Sequence, residues 1–238
     1  MPGRMVSIVV AGGSGLVGRE VLRLLARRED VRVRALVRRK GALATPPEPG
    51  GGPGAAMEVA FDYDDQGAYA ELFREPASVV ISCLGTTRAK AGSDEAFRTV
   101  DLTYPRRLLD AFEASLSPDT TGTFGLVSSL GEASATGLYL RTKHELEQAV
   151  RESDVRHVIV RPSLLVGERD EQRFGERLAS LIMKPLATLG QDVLGLSVAY
   201  KYGPIHAAQV ASALVSAVLD GTSENRILEG RELYAAPR

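Results

Sequence analysis

A single cysteine, Cys83, excludes an internal disulfide framework and fits a chain that works in a reducing compartment. Tryptophan is absent and histidine occurs three times, at scattered positions, so no ligand spacing for zinc is present and no metal is expected. Excess charge of either sign is missing too: 29 Lys and Arg against 30 Asp and Glu leave a net charge of −1. That balance supplies no electrostatic footprint for nucleic acid and no basic face for a membrane surface. Nor is there an unbroken apolar run of about 18 residues, which a membrane-spanning helix needs. The opening "MVSIVVAGG" is too short, and too soon ended by glycine, to read as a secretory signal. These absences lead to the expectation of a soluble cytoplasmic protein, with no nucleic acid and no membrane as partner.

What is present is a regular alternation. Short β-rich runs are read at 5–10, 31–37, 57–61, 78–84, 123–128 and 155–160, and helical patterns at 16–28, 65–74, 94–116 and 138–152. Strands alternating with amphipathic helices require a parallel sheet with crossover connections. The fold expected is α/β, a Rossmann-type doubly wound parallel sheet. It is read as a single domain over 1–238, with a small C-terminal substrate-side segment from about 162. Pro105 falls inside the third helical pattern and is expected to bend it or divide it. The stretch "GALATPPEPGGGPGAA" (41–56) is rich in Gly and Pro and reads as a surface loop between the second and third strands. Beyond Pro162 the pattern turns helical around 171–189 and 207–219, as a tail expected to cover the open edge of a cleft.

The first strand runs directly into "GGSGLVGREVLRLL". Gly12, Gly15 and Gly18 supply the tight turn, the close backbone approach to a pyrophosphate and the tight packing of helix on strand. The expected cofactor contacts are therefore Gly12, Ser14, Gly15, Leu16, Val17 and Gly18, with the phosphates at the positive end of the helix. The end of the second strand selects the cofactor. An acidic residue there would hold the ribose diol of NAD, whereas "LVRRK" offers Arg38 and Arg39. A guanidinium grips a 2′-phosphate bidentately, so NADP(H) is expected. Asp62, after the third strand, is placed to accept a hydrogen bond from the adenine amino group, or to cap the next helix. Asp64 is better placed for the cap.

"YLRTKHELE" puts Tyr139 four residues before Lys143 on one helix face, close enough for both polar ends to act on one ligand. Leu140, Leu146 and Val150 make the apolar seam of that helix, and Glu145, Glu147 and Gln148 are assigned to its wet side. The competing reading is a solvated polar edge. A free phenol titrates near 10, so using one as a base at neutral pH takes about 4 kcal/mol of phenolate stabilisation, for which a fixed ammonium is a source. Cys83, at the end of a buried strand, reads as a small apolar filler.

Taken together, the glycine turn, "CLGTTRAKAG" (83–92), "VSSLG" (127–131), "YLRTKHELE" and "VRPSLLVGERDE" (160–171) resemble the short-chain dehydrogenase/reductases. The closer likeness is to the atypical branch that includes the Tat-interacting oxidoreductase-like proteins. The resemblance implies Tyr139 as proton donor or acceptor, Lys143 on the nicotinamide ribose and beside the tyrosine, and Ser129 (or its neighbour Ser128) polarising the substrate oxygen. It further implies Leu84, Gly85 and Thr86 beside the cofactor, with Pro162, Ser163 and Leu164 shaping the nicotinamide end. Many members carry an asparagine that supports the lysine, where this sequence has Asp101. The activity implied is NADPH-dependent oxidation or reduction of a small carbonyl or alcohol. The alternatives are a non-catalytic NADPH-binding regulator with a protein partner, and an epimerase or dehydratase that uses bound NADP.

Overall fold

The computed structural model describes residues 5–43, 56–131, 137–166, 203–222 and 224–235. The strands are β1 (Val6–Ala11), β2 (Val31–Val37), β3 (Met57–Ala60), β4 (Val79–Ser82), β5 (Thr123–Val127), β6 (Arg156–Arg161), β7 (Leu164–Val166), β8 (Pro204–His206) and β9 (Arg226–Glu229). Seven of them form one parallel sheet in the order β3-β2-β1-β4-β5-β6-β9, and β7 pairs with β8 in a separate parallel ladder. This is a doubly wound Rossmann-type architecture, as the alternation of the sequence requires.

Burial on both faces explains why the central strands read as nearly continuous apolar runs. The period of two then sends Ile8 and Val10 of β1 into one core and Val9 and Ala11 into the other. On the first face, α1 (Leu16–Leu25) presents Val17, Val21 and Leu25 to the sheet. On the second face lie α2 (Gln66–Leu72), α3 (Arg88–Ala91), α4 (Asp94–Arg98), α5 (Tyr104–Ser115) and α6 (Leu138–Glu152), with Leu108, Phe112, Leu146 and Val150 buried. The helix α2 is capped by Asp65, whose carboxylate accepts the Gly67 N–H at 2.8 Å, and not by Asp64. Asp64 is instead the acceptor for the Tyr104 hydroxyl at 2.8 Å.

The expected helix 94–116 is divided. A π-helical segment, Thr99–Thr103, sits between α4 and α5, and Pro105 lies in the first turn of α5. Proline removes an N–H and crowds the carbonyl four residues back, and a wider turn relieves both.

The described C-terminal residues belong to the core and to the sheet. The helix α7 (Ala207–Val218) packs Val210, Leu214 and Val218 into the same core as α1, with His206 and Gln209 forming its capping box. The strand β9 completes the sheet, followed by α8 (Arg231–Tyr234). The helical pattern read at 171–189 lies outside the described residues. Arg156, 5 % exposed, clasps this region: its guanidinium donates to the carbonyls of Ala217 and Val218 at 2.8 and 3.4 Å and to Asp220 at 2.7 Å. Arg156→Met is therefore expected to lower unfolding free energy by roughly 2–4 kcal/mol, because buried acceptors lose their donor. Urea denaturation within about 0.5 kcal/mol of the wild-type value would refute that role for the clasp.

Candidate functional site

The sheet order turns at β1 and β4: β2 and β3 extend to one side, β4 and its successors to the other. In such sheets a crevice opens beyond the carboxyl ends of the strands at that reversal. Gly12 follows β1 with φ 80°, a backbone setting that disfavours any residue with a Cβ. A Cβ at Gly12 would lie 2.5 Å from the Cys83 carbonyl oxygen, and one at Gly18 would lie 2.2 Å from that of Gly12. The turn and the β4 loop are thus in direct backbone contact. Gly15 donates to the Gly12 carbonyl at 3.0 Å and starts α1 with no side-chain cap, while Ser14 beside it is exposed. The first N–H groups of α1, at Leu16, Val17 and Gly18, thus have no side-chain cap, and such a helix start fits a pyrophosphate.

Arg38 and Arg39 are exposed just past the end of β2, with no acid between them and β2. Glu58 of β3 accepts the N–H groups of Gly41 and, at 2.9 Å, Leu43. Those two backbone donors, Gly41 first, hold its carboxyl below the usual range. Asp62 is exposed and accepts the Asp64 N–H at 3.0 Å. Next to it the Tyr63 ring stacks on Tyr104, with centroids 5.1 Å apart.

Deeper in the crevice, Lys143 is 4 % exposed, and its Nζ lies 2.8 Å from Asp101 Oδ1. The other Asp101 oxygen accepts the Thr86 N–H at 2.7 Å. Gly85 is seated over the pair, since a Cβ there would be 3.5 Å from Asp101 Oδ1 and 3.7 Å from Lys143 Nζ. One helical turn before Lys143, the Tyr139 ring centroid lies 5.9 Å from Nζ and 6.0 Å from the Phe97 ring. Burial by itself pushes the Lys143 ammonium down, but the Asp101 carboxylate, with Tyr139 and Glu147, outweighs it and the net direction is up.

The sequence places Glu147 on the wet side of α6, and the structure corrects this. Glu147 is 1 % exposed and receives Arg161 at 2.6 Å, while Arg161 also reaches Glu229 at 3.3 Å. Its spacing of four from Lys143 already put it on the inner face.

Both candidate serines are buried at the end of β5. Ser129 Oγ lies 3.4 Å from the Leu130 carbonyl, and Ser128 Oγ has no hydrogen-bond partner among the described residues. Leu130 donates to the Pro162 carbonyl at 3.0 Å, which brings this end of β5 against the turn after β6. In that turn Pro162 and Ser163 are buried and Leu164 is half-buried, and the Ser163 hydroxyl is taken up by the Gly203 carbonyl. Leu84 packs at the margin of the second core. Burial pushes the Cys83 thiol up to about 12, far from the thiolate that a nucleophile needs.

A family described as NAD(P)H-binding matches residues 12–220 of this chain. Protein HTATIP2 of Rattus norvegicus is 34% identical over 176 residues, 73% of this chain and 68% of that protein. Protein FMP52, mitochondrial, of Candida albicans is 30% identical over 184 residues, 74% of this chain and 75% of that protein. Among solved structures, a short-chain type dehydrogenase/reductase from Mycobacterium ulcerans aligns with TM-score 0.65 at 17% identity, covering 98% of this chain and 92% of that one. The UDP-glucuronic acid 4-epimerase from Bacillus cereus, in complex with UDP-glucuronic acid and NAD, aligns with TM-score 0.67 at 14% identity, covering 94% and 77%. At that identity the likeness is one of fold. The expectation of a cytoplasmic protein is corrected by the fungal relatives, whose names place them in mitochondria.

Proposed function

Because this chain belongs to the NAD(P)H-binding family, we propose that it is an NADPH-dependent oxidoreductase of the atypical short-chain dehydrogenase/reductase type, acting on a small carbonyl or alcohol. The observation that carries the reading is the buried Lys143 ammonium, 2.8 Å from Asp101, with the Tyr139 ring one helical turn away, 5.9 Å from Nζ. Burying a lysine is costly unless its charge is used, and such groups gather at functional sites.

When bound, the nicotinamide cofactor supplies or takes the hydride. The chain's own residues do the rest. The uncapped start of α1 holds the pyrophosphate, and Arg38 and Arg39 meet the 2′-phosphate. Lys143 hydrogen-bonds the nicotinamide ribose and places positive charge beside Tyr139. The Tyr139 hydroxyl gives its proton to the carbonyl oxygen as that oxygen becomes an alkoxide, and Lys143 stabilises the phenolate left behind. Ser129, at the end of β5, donates a hydrogen bond to the same oxygen.

A second reading is a non-catalytic NADPH-binding regulator. The Asp101–Lys143 pair favours it, since a compensated ammonium stabilises a phenolate less. Single-turnover NADPH oxidation against a panel of small aldehydes and ketones separates the two. Oxidation with stoichiometric alcohol formation supports the enzyme, and tight NADPH binding with no oxidation across the panel refutes it.

Cofactor choice is tested independently. In the double variant Arg38→Ala/Arg39→Ala, loss of charge-assisted contacts worth about 1.5–3 kcal/mol should weaken NADPH roughly 10- to 150-fold. NADH affinity should hardly move, because only the 2′-phosphate has lost its partners. Fluorescence titrations showing equal losses for both cofactors would remove the 2′-phosphate assignment.

A further inference from the structure

Asp101 sits in the π-helical segment between α4 and α5, 1 % exposed, in the region where the resemblance leads one to expect asparagine. Oδ1 is ion-paired with the Lys143 ammonium at 2.8 Å, outside hydrogen-bond geometry, and Oδ2 accepts the Thr86 N–H at 2.7 Å. A cation faces one oxygen and an N–H the other, so the residue between them must present a negative oxygen on both sides. A carboxylate does so, whereas an asparagine has one accepting oxygen and would turn its NH2 toward a second donor.

We propose that Asp101 is the positioning residue of this site, a single carboxylate that keeps Lys143 charged and fixes it to the Gly85–Thr86 turn, so that lysine and turn are set as one unit. The effect on cofactor binding rests on the reading of Lys143 as a ribose ligand. The effect on the charge of Lys143 does not.

The groups facing Lys143 leave this role to Asp101. From its own helix come Tyr139 and Glu147. Glu147 is held by Arg161 of β6 at 2.6 Å, and Arg161 in turn by Glu229 of β9 at 3.3 Å. Asp101 is thus the carboxylate committed to the ammonium, and it opposes the downward push of burial on Lys143. The sign follows from linkage. A lysine raised in the fold stabilises it below the pH at which the unfolded lysine titrates, and that stabilisation is lost as pH rises through the folded value. Removing the carboxylate's charge takes away that opposition and brings the loss of the ammonium to lower pH.

The test uses the full chain without cofactor. The side-chain 15N resonance of Lys143, one of five lysines, is assigned by its loss in Lys143→Met and followed against pH. In Asp101→Asn the ammonium should be lost at a pH lower by about one unit or more than in the wild-type chain, and Asp101→Glu should recover most of that difference. NADPH affinity of Asp101→Asn should fall about tenfold or more as pH rises through the new transition, while wild-type affinity stays flat across it. An unchanged Lys143 titration in Asp101→Asn overturns the assignment, as does a uniform loss of affinity with no pH dependence. Should that variant not fold, the wild-type titration decides: Lys143 titrating above the other four lysines supports the role, and at or below them overturns it. The ribose reading fails on a different result, an unchanged NADPH affinity in Lys143→Ala.

Discussion

Tyr139→Phe is expected to lower single-turnover reduction of a carbonyl by NADPH about 10²- to 10⁴-fold, the usual worth of a positioned proton donor. NADPH affinity should stay within about twofold, because the change removes a hydroxyl and leaves the ring against Phe97. Lys143→Ala should damage both quantities, since that ammonium is assigned to the ribose as well as to the phenolate. The pattern across the pair is more informative than either variant alone. A regulator would lose NADPH affinity in Lys143→Ala and show nothing in Tyr139→Phe. A solvated edge would tolerate both changes within about 0.5 kcal/mol. Burial of Lys143 at 4 % already argues against the edge. Unchanged turnover in Tyr139→Phe would end the enzyme reading.

The second large effect is expected at Gly18. A methyl group there would lie 2.2 Å from the Gly12 carbonyl oxygen and 2.9 Å from the Gly13 Cα, all of it backbone. No rotamer relieves such a contact, so the glycine turn must move away from α1. Gly18→Ala should therefore weaken NADPH and NADH alike by at least about 100-fold, by displacing the donors that face the pyrophosphate. Loss of both cofactors separates this variant from the arginine pair, which should discriminate between them. Isothermal titration with each cofactor would read the difference, and wild-type affinity in Gly18→Ala would contradict the pyrophosphate assignment. Circular dichroism of the same sample checks that the fold survives.

Much of the fold could be read from residue order because parallel strands buried on both faces leave apolar runs that little else produces. The glycine turn was legible for a related reason: three glycines at that spacing, between a strand and a helix, answer a steric demand visible in the letters alone. Other features left weaker traces. β9 is four residues, Arg226–Glu229, with a charged residue at each end, so it has neither the length nor the alternation that marks a strand. The β7–β8 ladder is shorter still. Glu147 carries a charge that points to solvent, while its place four residues beyond Lys143 points inward, and the second signal is the one the fold obeys. Asp101 stands out only as a departure from the family that the chain resembles, and its two contacts are not legible in helical periodicity because a π-helical turn breaks that periodicity. Pro105, four residues on, was the available signal.

That turn also bears on how such a site can change over generations. An i→i+5 turn accommodates one residue more than the α-helical turn it replaces. Deleting one residue from Thr99–Thr103 would restore regular winding with the flanking helices still in phase, and would re-aim the residues of the turn itself, Asp101 among them. The carboxylate facing Lys143 can therefore be gained or lost through a one-residue change in length, with no substitution at the aspartate itself. A descendant could keep the aspartate and lose its function.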